Sequence, residues 1–119
     1  MSTQPLVTVL VTTYNQENYI SKALDSVLAQ KVDFPYEILI SEDCGTDGTR
    51  DILLDYAQKH PHIRLKLREE NVGISRNWFE GLADARGEYV CTLEGDDWWR
   101  SETKLQQQES KIEIGRAHV

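Results

Sequence analysis

The chain has 119 residues, 39% of them hydrophobic and 28% charged, with a net charge of -7, a balance that suits one soluble α/β-sized domain or part of a larger one. The acidic balance argues against a nucleic-acid backbone as partner, and no run is long and apolar enough to span a membrane. The opening MSTQP lacks the basic start and apolar stretch of a secretory signal, and Cys44 and Cys91 show no metal-ligand or redox spacing, so the expectation is a cytoplasmic protein with free thiols.

Residues 6–12, LVTVLVT, are β-branched and nearly continuous, the pattern of a strand buried on both faces. A helical pattern follows, with Ile20, Leu24, Val27 and Leu28 on one face, and Phe34-Pro35 breaks it. Residues 36–41, YEILIS, read as a second strand. The loop EDCGTDGT, residues 42–49, runs into a second helix with Thr46 or Asp47 as N-cap and Ile52, Leu53, Tyr56 and Ala57 as the apolar face. His60-Pro61-His62 ends it, and IRLKL, residues 63–67, alternates like a strand with one solvated face. Ile74, Trp78, Leu82 and Ala85 stand at the spacing of a third helix, which Gly87 closes. Residues 89–93, YVCTL, read as a buried fourth strand, and a final helical segment starts near Ser101 and includes Leu105 and Ile112. This β-α-β-α-β-α-β-α order predicts a mainly parallel sheet with helices over its faces and ligands at the carboxyl ends of the strands.

Polar clusters fall at three of those ends: TTYN, residues 12–15; Glu42-Asp43; and EGDD, residues 94–97. The last puts three carboxylates within four positions, and like charges so crowded call for a neutralising cation or for solvent. Asp96 and Asp97 suit a divalent ion shared with a diphosphate, since magnesium takes one or two protein carboxylates and fills its shell with phosphate and water, and manganese accepts the same oxygens. Asp43 can accept a ring N–H, which suits uracil, thymine or guanine better than adenine; Tyr14 can stack on a base or bond a ribose hydroxyl. Taken singly, each also reads as a turn or strand-end residue. There is no GxGxxG after the first strand and no GxxxxGK[ST], which disfavours a dinucleotide-binding Rossmann domain and a P-loop NTPase. Arg76 reads as an exposed helix-start arginine, His60 and His62 as solvated turn residues, and Trp98 and Trp99 either shape a sugar pocket or pack under the final helix.

In order and spacing, VTVLVTTYNQENYISKALDSVLAQ, YEILISEDCGTDGTRDIL and NVGISRNWFEGLADARGEYVCTLEGDDWW resemble the nucleotide-binding half of family 2 glycosyltransferases, over residues 5–105. The resemblance implies a GT-A fold, Rossmann-like and incomplete on its C-terminal side. It implies that Thr12, Tyr14, Asp43 and Asp96 bind the nucleotide of a nucleoside-diphosphate sugar, with a UDP-sugar favoured. It implies that Asp97, with Asp96, holds Mn2+ or Mg2+, and that the sugar passes with inversion to a saccharide or glycolipid acceptor in cell-surface polysaccharide synthesis. The catalytic base, usually an aspartate, is expected beyond this chain, so transfer by the chain alone is not expected. A cytoplasmic location, compatible with peripheral association at the inner face of the membrane, goes with that role. Glu42 and Glu94 stand where the family more often has aspartate, which puts their roles in doubt.

Residues 114–119, IGRAHV, equal the translation of a common sequencing-adapter sequence, ATC GGA AGA GCA CAC GTC. The expectation is a truncated domain over residues 1–112 and a non-native tail over residues 113–119. Two competing functions are a non-catalytic nucleotide-binding or interaction module on the same fold, whose binding would ignore metal, and a nucleotidyltransferase, which would need a glycine- and basic-rich phosphate loop near the first strand.

Overall fold

A computed structural model describes residues 4–106; Ile112, the end of the expected final helix, and residues 113–119 lie outside them. Four strands and three helices alternate: β1 (Val7–Thr13), α1 (Ile20–Leu28), β2 (Tyr36–Glu42), α2 (Thr49–Lys59), β3 (Ile63–Leu67), α3 (Ile74–Asp84) and β4 (Tyr89–Glu94). The sheet order is β3-β2-β1-β4 and every pairing is parallel. Val9 stands level with Ile38 on one side and Cys91 on the other.

β1 is rich in apolar and β-branched residues because both of its faces are covered. Val7, Val9 and Val11 meet Ile20, Leu24 and Val27 of α1 and Leu53 of α2, in a core that Ile38, Ile40 and Leu93 extend. Leu105 is fully buried in this same core, as expected of the final segment. Leu10, Leu39 and Val90 point to the other face, where Trp78, Leu82 and Ala85 cover them. Thus α1 and α2 lie on one side and α3 on the other. Right-handed crossovers carry the chain outward from β1 to β3 and then back over the opposite face to β4.

Three local expectations change. The N-cap of α2 is Gly48, although the Asp47 carboxylate still accepts the Thr49 N–H at 2.9 Å. The polar side of β3 is engaged rather than solvated: Arg64 pairs with Glu37 at 2.7 Å and Lys66 with Asp84 at 2.6 Å. Ile74 is 86% exposed; the first turn of α3 overhangs the strand ends, where no sheet lies beneath it.

Glu37 anchors the α3 face. Its carboxylate accepts from the Thr8 hydroxyl at 2.6 Å, Arg64 Nε at 2.7 Å and the Arg86 N–H at 2.8 Å. Burial pushes its carboxyl up, but these donors outweigh burial and hold it below the ordinary carboxylate range. Its stabilising effect is therefore full above that range and is lost as pH falls through the lowered value. Glu37→Gln should destabilise the fold by about 1–3 kcal/mol at neutral pH, and should flatten the loss of stability as pH falls through and below the ordinary carboxylate range. Urea melts of both proteins across that range check the expectation; parallel acid limbs would refute it.

Candidate functional site: a cleft where the winding reverses

β1 has one neighbour reached through α1 and another reached through α3, so the crossovers on its two sides splay apart at its carboxyl end. The cleft there has a volume of about 190 Å³, below the ~300 Å³ of a pocket that encloses a whole small ligand, so it has room for only part of such a ligand. β1 contributes Thr12 and leads into Tyr14, β2 leads into Asp43, β4 ends at Glu94, and α3 adds Ile74 and Asn77. Thr12, Tyr14 and Asp43, expected from the sequence, thus stand together. A larger open hollow of about 580 Å³ is lined only by residues of α1, α2 and His60; no strand end reaches it, and its size alone carries no chemistry.

Asp43 is only 3% exposed. Its two carboxylate oxygens accept the Val72 N–H at 2.8 Å and the Gly73 N–H at 3.0 Å, and its carbonyl accepts from Asn71 Nδ2 at 3.1 Å. It is therefore no local turn residue; it holds the entry to α3 from the tip of β2. A carboxylate at a helix start is favourable, because free N–H groups gather there. Gly73 has φ +94°, a conformation other residues adopt only with strain. Each Asp43 oxygen keeps a further lone pair, enough to accept a ring N–H.

Glu42 turns the other way. It is fully buried, accepts from Arg50 Nε at 3.1 Å, and also takes Arg50 Nη2 and the Gly45 N–H. The extra methylene relative to aspartate lets it bridge the loop to α2. The rim is knit in the same way: Asn15 Oδ1 accepts the Thr46 and Asp47 N–H groups at 2.7 and 3.3 Å, and Thr49 Oγ1 accepts the Gln16 N–H at 2.9 Å. Burial and three kinds of donor act on Asp47, and the bonds from Thr49 and Glu17 leave its carboxyl below the usual range.

The acidic turn after β4 is pinned by the Gly95 N–H on Thr12 O at 2.8 Å and closed by the Asp97 N–H on Glu94 O at 3.0 Å. A Cβ on Gly95 would stand 2.7 Å from Thr13 Oγ1, so only glycine lets the turn lie this close to β1. Asp96 and Asp97 are exposed, and neither lines the cleft proper. Asp97 Oδ1 accepts the Trp98 N–H at 2.8 Å. Among the described residues no three His, Cys, Asp or Glu side chains gather as a metal cage. Two exposed carboxylates beside a cleft do fit a hard cation whose shell is completed by phosphate and water; they do not fit a free-standing metal centre.

The remaining candidates sort plainly. Arg76 is exposed and pairs with Glu80 at 2.7 Å; Arg76 and Arg68 together hold the Glu80 carboxyl down at about 2. His60 lies against Tyr56 and His62 against Tyr36, with ring centroids 6.1 and 5.2 Å apart, outside the cleft; burial, then His60, pushes His62 down. Trp99 packs on the α1 core, and Trp98 carries Lys22 Nζ 3.6 Å from its ring centre. Sequence reasoning missed Asn77 and Gln16. The signal for Asn77 was a polar residue set among the inward positions of an amphipathic helix.

Residues 8–119 match the family model described as glycosyl transferase family 2. Bacillus subtilis TuaG, named as a glycosyltransferase of teichuronic acid biosynthesis, is 41% identical over 107 residues, 88% of this chain and 41% of TuaG. An uncharacterized Mycobacterium tuberculosis protein is 45% identical over 80% of this chain and 28% of its own length. The chain thus spans less than half the length of these relatives. Among solved structures, residues 1–349 of S. aureus TarS in complex with UDP-GlcNAc match with a TM-score of 0.79 and 31% identity, over 91% of this chain and 31% of that one. The mannosyltransferase PcManGT from Pyrobaculum calidifontis, in complex with GDP-Man and Mn2+, matches with a TM-score of 0.73 and 30% identity, over 85% of this chain and 30% of that one. These neighbours are of the GT-A type, and so is this fold. A family match over nearly the whole chain, joined to the same sheet in the solved relatives, means that the chain belongs to glycosyl transferase family 2.

Proposed function

We propose that this chain is the nucleotide-sugar-binding part of an enzyme that transfers a sugar from a nucleoside-diphosphate sugar to an acceptor hydroxyl, in cell-surface polysaccharide or glycoconjugate synthesis. The observation that carries the reading is the buried Asp43 carboxylate, fixed by two backbone N–H groups at the cleft, with the exposed Asp96-Asp97 turn anchored to the neighbouring strand. The UDP, UDP-GlcNAc and GDP-Man held by structural neighbours support a nucleotide-sugar ligand.

Asp43 accepts the base N–H, Tyr14 lies against the base or ribose, and Thr12 and Asp96 meet the ribose side. Asp97, with Asp96, would hold Mn2+ or Mg2+. When bound, the cation supplies charge neutralisation for the departing nucleoside diphosphate. The inverting attack and the base that drives it belong to the rest of the protein. No helix among the described residues is long and apolar enough to cross a membrane; a cytoplasmic site of action, at the inner membrane face where a glycolipid acceptor would be, is part of the proposal.

Calorimetric titration of UDP into the chain tests the reading. Saturable binding with Mn2+ should be abolished by EDTA and weakened at least about tenfold by Asp97→Ala, the loss expected of a charged ligand to the ion. Binding that ignores EDTA and Asp97→Ala would instead indicate a non-catalytic nucleotide-binding module. Mn2+ titrated without UDP should give no saturable isotherm, because two exposed carboxylates leave most of its shell to water; tight binding of the ion alone would contradict the shared-shell geometry.

A further inference from the structure

Asn77 is 3% exposed, yet it lines the cleft. Its Oδ1 accepts from the Ser41 hydroxyl at 2.7 Å and from Arg68 Nε at 2.6 Å, while its Nδ2 donates to Ser41 O at 2.9 Å. A guanidinium only donates, so the amide atom facing Arg68 is necessarily the oxygen. Turning the amide over would set N–H against N–H. Chemistry therefore fixes its orientation, independently of how the two atoms are distinguished. Nδ2 retains a second N–H that no described residue accepts.

Ser41 and Asp43 are two residues apart along β2 and its extension, so they share the side facing α3. The Asp43 carboxylate sits on the Gly73 N–H, and Asn77 lies four residues further along. The acceptor at the tip of β2 and the donor on the first turn of α3 thus line the same cleft. We propose that Asn77, locked by Arg68 as a positioning residue, donates to a base carbonyl while Asp43 accepts the adjacent ring N–H. The pair selects bases that present a ring N–H beside a carbonyl, namely uracil, thymine and guanine. Cytosine presents the reverse, a ring lone pair beside an amino group, and meets a like group at both positions. Polar mismatches of this kind in a desolvated site discriminate strongly. The inference rests on the nucleotide-sugar reading of the same cleft.

Arg68→Met is a clean probe. Glu80 keeps its bond from Arg76 Nε at 2.7 Å, and Asn77 Oδ1 keeps the Ser41 hydroxyl. Arg68 Nη2 is itself buried without a partner, so the change removes an unmet donor and leaves no buried acceptor bare. UDP and CDP are titrated with Mn2+ into the chain, its Arg68→Met, Arg68→Lys and Asn77→Asp variants, each verified as folded by a cooperative thermal melt. The unaltered chain should favour UDP by at least about tenfold, the worth of one to two hydrogen bonds. Asn77→Asp should cut that preference to within about threefold; Arg68→Met should cut it less, since the Ser41 carbonyl still holds Nδ2, and Arg68→Lys should restore part of that loss. Asn77→Asp carries the main test: it keeps an acceptor for Arg68 and replaces the amide donor with a carboxylate oxygen, and since its added charge bears on both nucleotides alike, the UDP-to-CDP ratio is the readout. Unchanged UDP preference in folded Asn77→Asp overturns the inference, as does equal affinity of the unaltered chain for UDP and CDP, and both leave the nucleotide site standing. Absence of any nucleoside-diphosphate binding by the folded, unaltered chain overturns the site reading and this inference together.

Discussion

Everything in this domain depends on β1 having a parallel partner on each side. Parallel pairing forces each connection to cross a face of the sheet, and the crossovers from β1 to β3 use one face while the return to β4 uses the other. The two sets diverge at one end of β1 alone. The cleft is thus a consequence of winding order, and the residues at its walls are those that chance to end strands or begin α3.

The two faces of the sheet solve different problems. The α1–α2 side is apolar from Val7 to Leu93 and supplies cohesion. The α3 side has a small apolar centre of Leu10, Leu39 and Val90 between two polar layers. One layer is Thr8, Glu37 and Arg64; the other is Ser41, Asn77 and Arg68. Buried polar groups are costly unless satisfied, and satisfied networks fix a unique arrangement. The second layer lies against the cleft, where a defined arrangement matters most.

The strands and helices were legible because burial on both faces makes β1 and the centre of β2 rich in apolar and β-branched residues and because α1 keeps its apolar residues on one stripe. Thr12, Tyr14 and Asp43 were legible because a parallel fold brings strand ends together. Other features were hidden for physical reasons. Ile74 has core spacing but overhangs the sheet, and periodicity does not reveal where the sheet stops. Glu42 and Asp43 are adjacent acids, yet a strand sends neighbours to opposite faces, so one braces α2 and the other faces the cleft. Asn77 and Glu37 are polar at inward positions, and their partners lie 36 and 27 residues away in sequence, beyond any local pattern.

The bonds between the loop after β1 and the loop after β2 carry one more consequence. Asn15, Gln16 and Glu17 are tied to Thr46, Asp47 and Thr49 by backbone and side-chain hydrogen bonds. The two lips therefore move as one body, and much of the conformational entropy that a ligand would otherwise have to remove is already gone before it arrives. Tyr14 inherits its placement from residues more than thirty positions downstream, so a change at Asp47 would be felt as a loosening of Tyr14 without altering any group that a ligand touches.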